Sequence, residues 1–335
     1  MRRILRVAGA ACGVGISGAA HAVEWDVSLW GERRAFTEHV ERLAEIVEER
    51  SDGTFTLNLS YGELSPNIEN LEGIAIGAFE MAQFCAGYHR DRNLAITVLE
   101  LPVLGVEDLE QEVAVSHAVY GHPAVVDEMA RSNARILMTS PMPQYNVAGT
   151  GDPRATIAAM DGMRVRATGG VGEVMQAVGA VPTAVTATET YEAMQTGAVD
   201  AAAFAPHAHL SFGVTDVADW WTENLNPGTA NCPVVVNIDA YDALSDEHRA
   251  ILDAAVDEAI AHYLDNYAAL LGRWDETLAA KGVEAVHLPP AEIAKLRSGA
   301  EPIHLAWIAD ATARGLPGRE LYDLVQGVLA KSKGF

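Results

Sequence analysis

Two rhythms of apolar and polar positions take turns along this chain. A period of two runs through Val23–Trp30 (VEWDVSLW) and Thr54–Tyr61 (TFTLNLSY), and predicts two strands. Between them the period lengthens to that of a helix over Arg34–Arg50, with Phe36, Val40, Leu43, Ile46 and Val47 on one face. The turn-forming run Gly62-Glu63-Leu64-Ser65-Pro66 leads into a helix over Asn67–Gly77. Met81–Ala86, Thr97–Leu101, Ile136–Ser140 and Gln144–Ala148 are short enough and apolar enough to read as further strands.

The alternation continues through the second half. Met163–Ala167 predicts a strand, Glu173–Val178 a helix, Val181–Val185 a strand, and Thr188–Thr196 a helix closed by Gly197. Val199–Phe204 and Pro233–Ile238 read as buried strands. Ser245 then caps a very long helical pattern that persists to Lys281, where Gly282 stops it. One apolar stripe runs along it through Leu252, Ala255, Ile260, Tyr263, Tyr267, Trp274 and Leu278. A helix of that length is long enough to run across two lobes as a shared backbone. Strands alternating with helices define an α/β fold with mixed sheets. A chain of 335 residues, 49% of them hydrophobic, exceeds what one core usually holds, so two lobes are expected.

Charge narrows the partners. The formal net charge is −23, and lysine occurs only at Lys281, Lys295, Lys331 and Lys333. A nucleic-acid partner is excluded by that balance, because phosphate contacts need a basic surface. The N-terminus has the form of a secretory signal: Arg2, Arg3 and Arg6 lead an apolar stretch that ends at Ala20-His21-Ala22. Residues 1–22 are therefore expected to be removed, which places the remaining chain in the periplasm. Two cysteines then remain, Cys85 and Cys232. Export permits a bridge between them, but their separation reads more simply as two buried thiols, and they form no metal motif.

The chemistry centres on Arg166. It stands at the end of a predicted strand, followed by Gly169, Gly170 and Gly172 and a helix start. A guanidinium matches a carboxylate or sulfonate with two parallel donors, and a helix N-terminus favours an anion; a structural ion pair is the competing reading. The glycines do not complete a dinucleotide-binding pattern. His207-Ala208-His209 with Asp216 lacks a third ligand at a metal-binding spacing and reads as core-edge histidines. No cofactor is implied. No GxSxG, HExxH or CxxC motif occurs, and Ser60, Ser65, Ser140 and Ser211 have no neighbouring base in sequence, so catalysis is not expected. Aromatics stand at strand ends, where ligands of α/β sheets bind: Trp30, Phe84, Tyr88, Tyr145 and Phe204, with Trp220 and Trp221 beyond. Trp30 and Phe204 are the leading wall candidates, against the alternative of ordinary core.

The segment DGMRVRATGG (161–170) resembles the "L-K-G-x-K-I-R" strand of the solute-binding proteins of tripartite ATP-independent periplasmic (TRAP) transporters, of the dicarboxylate-receptor type. Thr188–Asp200 (TETYEAMQTGAVD) is similar to their "E-x-Y-x-A-L-Q-x-G-x-V-D-G" segment, and Gly62-Glu63-Leu64 with the helix to Gly77 matches their "G-x-L-G" region loosely. The resemblance covers nearly the whole chain after the signal. It implies two α/β lobes, residues 23–146 with about 232–270 and residues 147–231 with about 271–335, joined by crossing strands and closing on a solute. It implies that Arg166 pairs with the solute's carboxylate. Ala201-Ala202-Ala203-Phe204 departs from the family's polar residue after "V-D-G", which makes the pocket more apolar than a succinate site. Asn146 and Gln144, or Asn231 and Asn237, are then the expected polar contacts. The function implied is a receptor that delivers a small organic acid to a membrane permease; a monomer is the default expectation, although the long helix could support a dimer. Three other functions compete with it. Acidic surroundings with aromatic walls suit an amine or zwitterion anchored by Glu63. A secreted hydrolase is the alternative of another class, and a receptor feeding a signalling kinase is a third.

Overall fold

The computed structural model describes residues 22–332, so the signal segment lies outside the described residues. In chain order the strands are β1 (Val23–Leu29), β2 (Phe55–Tyr61), β3 (Met81–Gln83), β4 (Ala134–Met138), β5 (Asn146–Gly149), β6 (Arg164–Arg166), β7 (Val181–Thr183), β8 (Ala201–Phe204), β9 (Trp220–Thr222), β10 (Val234–Asn237) and β11 (Glu284–Val286). They form a five-stranded sheet in the order β2-β1-β3-β10-β4 and a six-stranded sheet in the order β11-β9-β5-β8-β6-β7. Both sheets are mixed. β1 runs parallel to β2 and β3, and β10 lies antiparallel between β3 and β4. β6 runs parallel to β7 and β8, while β5 is antiparallel to β8 and β9.

Each sheet organises one lobe, and the lobes are not continuous in sequence. The chain leaves the first sheet after β4, builds β5 to β9 in the second, and returns for β10. The helix Asp246–Leu271 then packs its Leu252, Ala255, Ala259 and Ile260 into the first lobe's core against the helix Glu38–Arg50. Gly272 and Arg273 interrupt the helical pattern. The next helix, Trp274–Lys281, sinks Trp274 and Leu278 into the second lobe's core. The stripe expected to serve both lobes does so, with a break where it changes partner. A second element does the same. The helix Pro290–Ala313 buries Leu296 and Ala300 in the second lobe and Trp307 and Ala311 in the first. The last helix, Gly318–Ser332, buries Leu321, Val325 and Leu329 in the first lobe. Its apolar stripe meets the helix Leu109–Tyr120 there, so residues from about 307 onward belong with the first lobe and not with the second.

Two local expectations are corrected. Thr97–Leu101 is not a strand but the end of a 3-10 helix, Ala95–Glu100, buried on all sides. A short apolar run buried all round carries no period to tell strand from helix. The helix expected from Glu173 starts earlier, at Gly169, with Thr168 as the residue before it. Gly170 is required there, because a Cβ would lie 2.2 Å from the Glu100 carbonyl oxygen.

Cys85 and Cys232 are joined in a disulfide, which corrects the reading of two buried thiols. Distance along the chain misled that reading, since the 147-residue separation holds the rest of the first lobe up to β4 and then the excursion into the second lobe, after which β10 returns beside β3. At its two ends Phe84 N donates to Pro233 O at 3.2 Å and Ala86 N to Asn231 O at 2.8 Å, so β3 and β10 extend as a ladder that brings the cysteines opposite each other. Closing so long a loop restricts the unfolded chain, and the bond contributes about 2–5 kcal/mol. The double variant Cys85→Ser/Cys232→Ser is expected to lose that amount in urea unfolding while keeping its far-UV circular dichroism. An unchanged unfolding midpoint overturns this account of the bridge.

Candidate functional site

β6 and β8 run side by side, and both end at the cleft between the lobes. β6 delivers Arg166 there and β8 delivers Phe204. The guanidinium of Arg166 is buried, 2% exposed, and lies 4.2 Å over the Phe204 ring. Its Nε donates to Val185 O at 2.9 Å, Nη1 to Ala203 O at 3.4 Å and Nη2 to the Tyr88 hydroxyl at 3.3 Å. These bonds use three of its five N–H groups. One N–H on each terminal nitrogen is left over, so the donors that remain for a carboxylate are at the end of the fork. Among the described residues Arg166 has no ion pair, so the competing structural reading is not met.

A cavity opens beside this group. Its lining includes Trp30, Phe36 and Tyr145, the Cys85–Cys232 bridge, Tyr88 and Glu100, and from the second lobe Arg166, Thr168, Phe204, His207 and Phe212. The enclosed space is about 30 Å³ on a scale where one water needs ~10–15 Å³. Any solute larger than two or three waters enters only as the walls part. Tyr88, Thr168 and Gly87 also border a wider cleft of about 530 Å³, which gives that cavity its mouth. At this mouth Arg90 and Glu173 pair across the lobes at 2.6 Å. Deeper in, aromatic rings meet across the same gap: Trp30 stacks on Phe212 at 6.1 Å between centroids, and Phe36 on His207 at 5.0 Å.

Of the residues expected to face a ligand, Arg166, Trp30, Phe204 and Tyr145 line this cavity. Four others do not. Phe84 is sealed in the first lobe's core. Glu63 is exposed on its loop and lines no cavity described here. Asn146 spends its amide inside the second lobe: Oδ1 accepts from Thr222 Oγ1, Leu225 N and Asn226 N, and Nδ2 donates to Asn226 Oδ1. Asn231 accepts from Tyr120 through Oδ1 and gives its backbone N–H to Glu100. Phe84, Asn146 and Asn231, each near a strand end, satisfy a structural need that sequence does not display. Asn237 and Gln144 also lie elsewhere, the first capping the helix Ile238–Ala243, the second bordering a separate open groove of about 900 Å³.

Glu100 carried no signal beyond an acidic residue in an apolar run. Its Oε1 accepts from Gly87 N at 3.1 Å and Asn231 N at 3.0 Å. Oε2 points between Gly87 and Gly169, where an added Cβ would lie 2.7 and 3.1 Å away. Burial raises its pKa to about 7, against the two backbone donors that lower it. His207 and His209 are buried, as expected of core-edge histidines. His207 Nδ1 pairs with the Tyr267 hydroxyl, and His209 Nε2 donates to Asn146 O at 3.0 Å. Asp216, the third member considered for a metal site, pairs with Lys281 instead. Ser140 does meet a base, His39, at 2.7 Å. That pair is closed off in the core, His39 is held neutral by burial with its pKa near 3, and no carboxylate orients it.

Comparison with known proteins agrees with this arrangement. Residues 27–310 match the model of the DctP family, described as bacterial extracellular solute-binding protein, family 7. The chain belongs to that family, the solute-binding proteins of TRAP transporters, whose members are receptors and not enzymes. It is 24% identical over 300 residues to the outer membrane transporter protein TsaT of Comamonas testosteroni, covering 87% of this chain and 86% of that protein. It is 25% identical over 262 residues to a monocarboxylate 2-oxoacid-binding periplasmic protein of Nostoc sp., covering 73% and 68%. The fold matches a Bordetella pertussis extracytoplasmic solute receptor binding pyroglutamic acid, with TM-score 0.81, 20% identity and coverage of 91% and 100%. It also matches a Bordetella bronchiseptica TRAP solute-binding protein with bound mandelate, with TM-score 0.82, 21% identity and coverage of 92% and 99%.

The buried ionisable groups set a pH dependence. Glu100 and Glu112 have folded pKa values raised to about 7 and about 8 by burial, so the folded state holds more protons than the unfolded one above pH ~4.5, and stability falls as these groups ionise. His39 and His209 are lowered to about 3 and about 4, and His207 is lowered too, all by burial; the unfolded state then holds more protons below pH ~6.5, and stability falls toward acid. The two trends oppose each other, so the melting temperature is expected to fall off on both the acid and the alkaline side. Glu112→Gln is expected to remove roughly 3 kcal/mol of the loss between pH 6 and 9. An alkaline limb as steep in the variant as in the parent overturns the assignment.

Proposed function

We propose that this protein is a periplasmic receptor that captures a small organic acid by closure of its two lobes and delivers it to the membrane permease of a TRAP transporter. The observation that carries the reading is Arg166: a buried guanidinium in the inter-lobe cavity, with one free N–H on each terminal nitrogen and no carboxylate of its own. Burying an unpaired charge is costly, and an incoming carboxylate supplies the missing partner. Closure then excludes water and strengthens the pair in the lower dielectric. Trp30, Phe204 and Tyr145, joined by Phe36 and Phe212, wall the apolar body of the solute. The family supports the receptor role, and the acids named for its structural relatives support the ligand class.

The zwitterion reading draws on a different observation, the carboxyl of Glu100 in the cavity wall. Its Oε1 is already held by two backbone N–H groups, and burial raises its pKa to about 7, which disfavours the charged form a cation would need. The anionic reading is therefore favoured. Thermal-shift screening of the purified protein against matched panels of carboxylates, amines and amino acids separates the two. A bound acid at a hundred times its dissociation constant adds roughly 2.7 kcal/mol, and stabilisation by amines alone overturns the reading. For the best acid, Arg166→Gln is expected to cost about 2–5 kcal/mol, at least about thirtyfold in affinity, with the fold intact. Affinity retained within about threefold assigns the carboxylate to another residue.

A further inference from the structure

The loop after β1 holds a second guanidinium in a condition like that of Arg166. Arg34 is 8% exposed, and Nη1 donates to the carbonyl oxygens of Trp30 and Glu32, the latter at 2.8 Å. Nε and Nη2 have no partner at all. Among the described residues no carboxylate pairs with it or bears on its charge; the groups that do are the Tyr263 and Tyr267 hydroxyls. Its neighbours are rings: Trp30 at 4.6 Å, Phe36 at 5.3 Å and Phe212 at 5.4 Å. All three line the same cavity as Arg166. The indole Nε1 of Trp30 is buried and unpartnered as well. Three orphan donor atoms, two of them on a cation, thus gather behind one wall with no acceptor for any of them.

Buried donors are almost always satisfied, and leaving one unpaired is costly. A cluster made only of donors lacks an acceptor, and an acceptor with several lone pairs meets all three at once. Arg34, Trp30 and Phe36 belong to the first lobe, and Phe212 and His207 to the second. Parting the lobes therefore uncovers the guanidinium at the moment a solute enters. Burial lowers the pKa of Arg34 to about 10, which leaves it charged at neutral pH.

We infer that Arg34 is a second, first-lobe recognition group of this cleft, and that the preferred solute is an acid with an acceptor at each end. One carboxylate meets Arg166; a second carboxylate or a carbonyl meets Arg34 and the Trp30 indole. This rests on the organic-acid reading above and narrows it. It also answers the apolar run Ala201–Phe204: the second polar contact missing from β8 is supplied from the opposite lobe. The two ends of one solute then tie the lobes together, because each end is held by a different lobe.

Chain-matched acids test this directly by calorimetric titration of the purified protein: butyrate against succinate, and 2-oxovalerate against 2-oxoglutarate. In at least one pair the two-ended acid is expected to bind at least about tenfold more tightly, since unpaired buried donors reject the analogue that lacks the acceptor. Arg34→Met is expected to bring that ratio to within about threefold by weakening the two-ended acid alone, whereas Arg166→Gln weakens both members. Arg34→Lys, which keeps the charge but not the fork, is expected to fall between. A purely structural Arg34 predicts a lower melting temperature and an unchanged ratio, and that outcome overturns the inference. One-ended acids binding as well as their two-ended partners overturn it too, and this comparison needs no variant. If none of the four acids binds while amines do, the organic-acid reading itself has failed.

Discussion

A guanidinium taken out of water keeps its charge, and water's hydrogen bonds must be replaced from somewhere. In this protein the replacement is incomplete at two places: one lines a cavity and the other lies behind the aromatic wall of the same cavity. Arg166 is held by two carbonyls and a tyrosine hydroxyl and lies over the Phe204 face. Arg34 is held by two carbonyls and lies among three rings. Aromatic faces compensate a cation in part, worth up to about 2 kcal/mol when desolvated. They offer no lone pair directed at an N–H. The residual demand for an acceptor is what makes a binding site of a gap between two folded lobes.

The rest of the architecture serves to bring those two arginines to a common boundary without fixing the boundary rigidly. The chain crosses between the sheets after β4 and again before β10, and twice more through helices. Gly272 breaks the first helical crossing, and the second passes through Pro302 between its two buried ends. The disulfide joins the end of β3 to the segment that returns to the first sheet just before β10, so it ties one crossing to the first lobe and leaves the lobes themselves unlinked. Contacts across the cleft are of a kind that can separate: stacked rings, one partly exposed ion pair, and glycine against carboxyl. A half-exposed pair such as Arg90–Glu173 contributes little by itself, which suits a surface that opens and closes.

The alternation of strand and helix, the family and the place of Arg166 at a strand end were all legible in the order of residues. Period-two and period-3.6 patterns encode which face is buried, and that is a local property. The segments 161–170 and 188–200 carried the family, and the family carried the two-lobed plan. Legibility failed where a residue's role is set by what lies across a gap. Asn146 has the position of a ligand contact and is a splint for the 222–226 turn. Phe84 and Phe204 both stand at strand ends, yet one is core and the other is wall. Cys85 and Cys232 looked too distant to pair because separation along a chain says nothing of a detour that returns.

The sequence by itself determined the element types, the class of fold, and one strand end bearing a cation ahead of a glycine-rich helix start. It did so because burial pattern, turn chemistry and side-chain charge are written residue by residue. Only the tertiary structure decided that Glu100 lines the same cavity as Arg166, that Arg34 lies behind that cavity's aromatic wall, and that Asn146, Asn231 and Glu63 do not line it. Whether a polar group is spent or free depends on partners brought from dozens to hundreds of residues away. In a protein whose site is the seam between two discontinuous lobes, that accounting closes only when the lobes are in place.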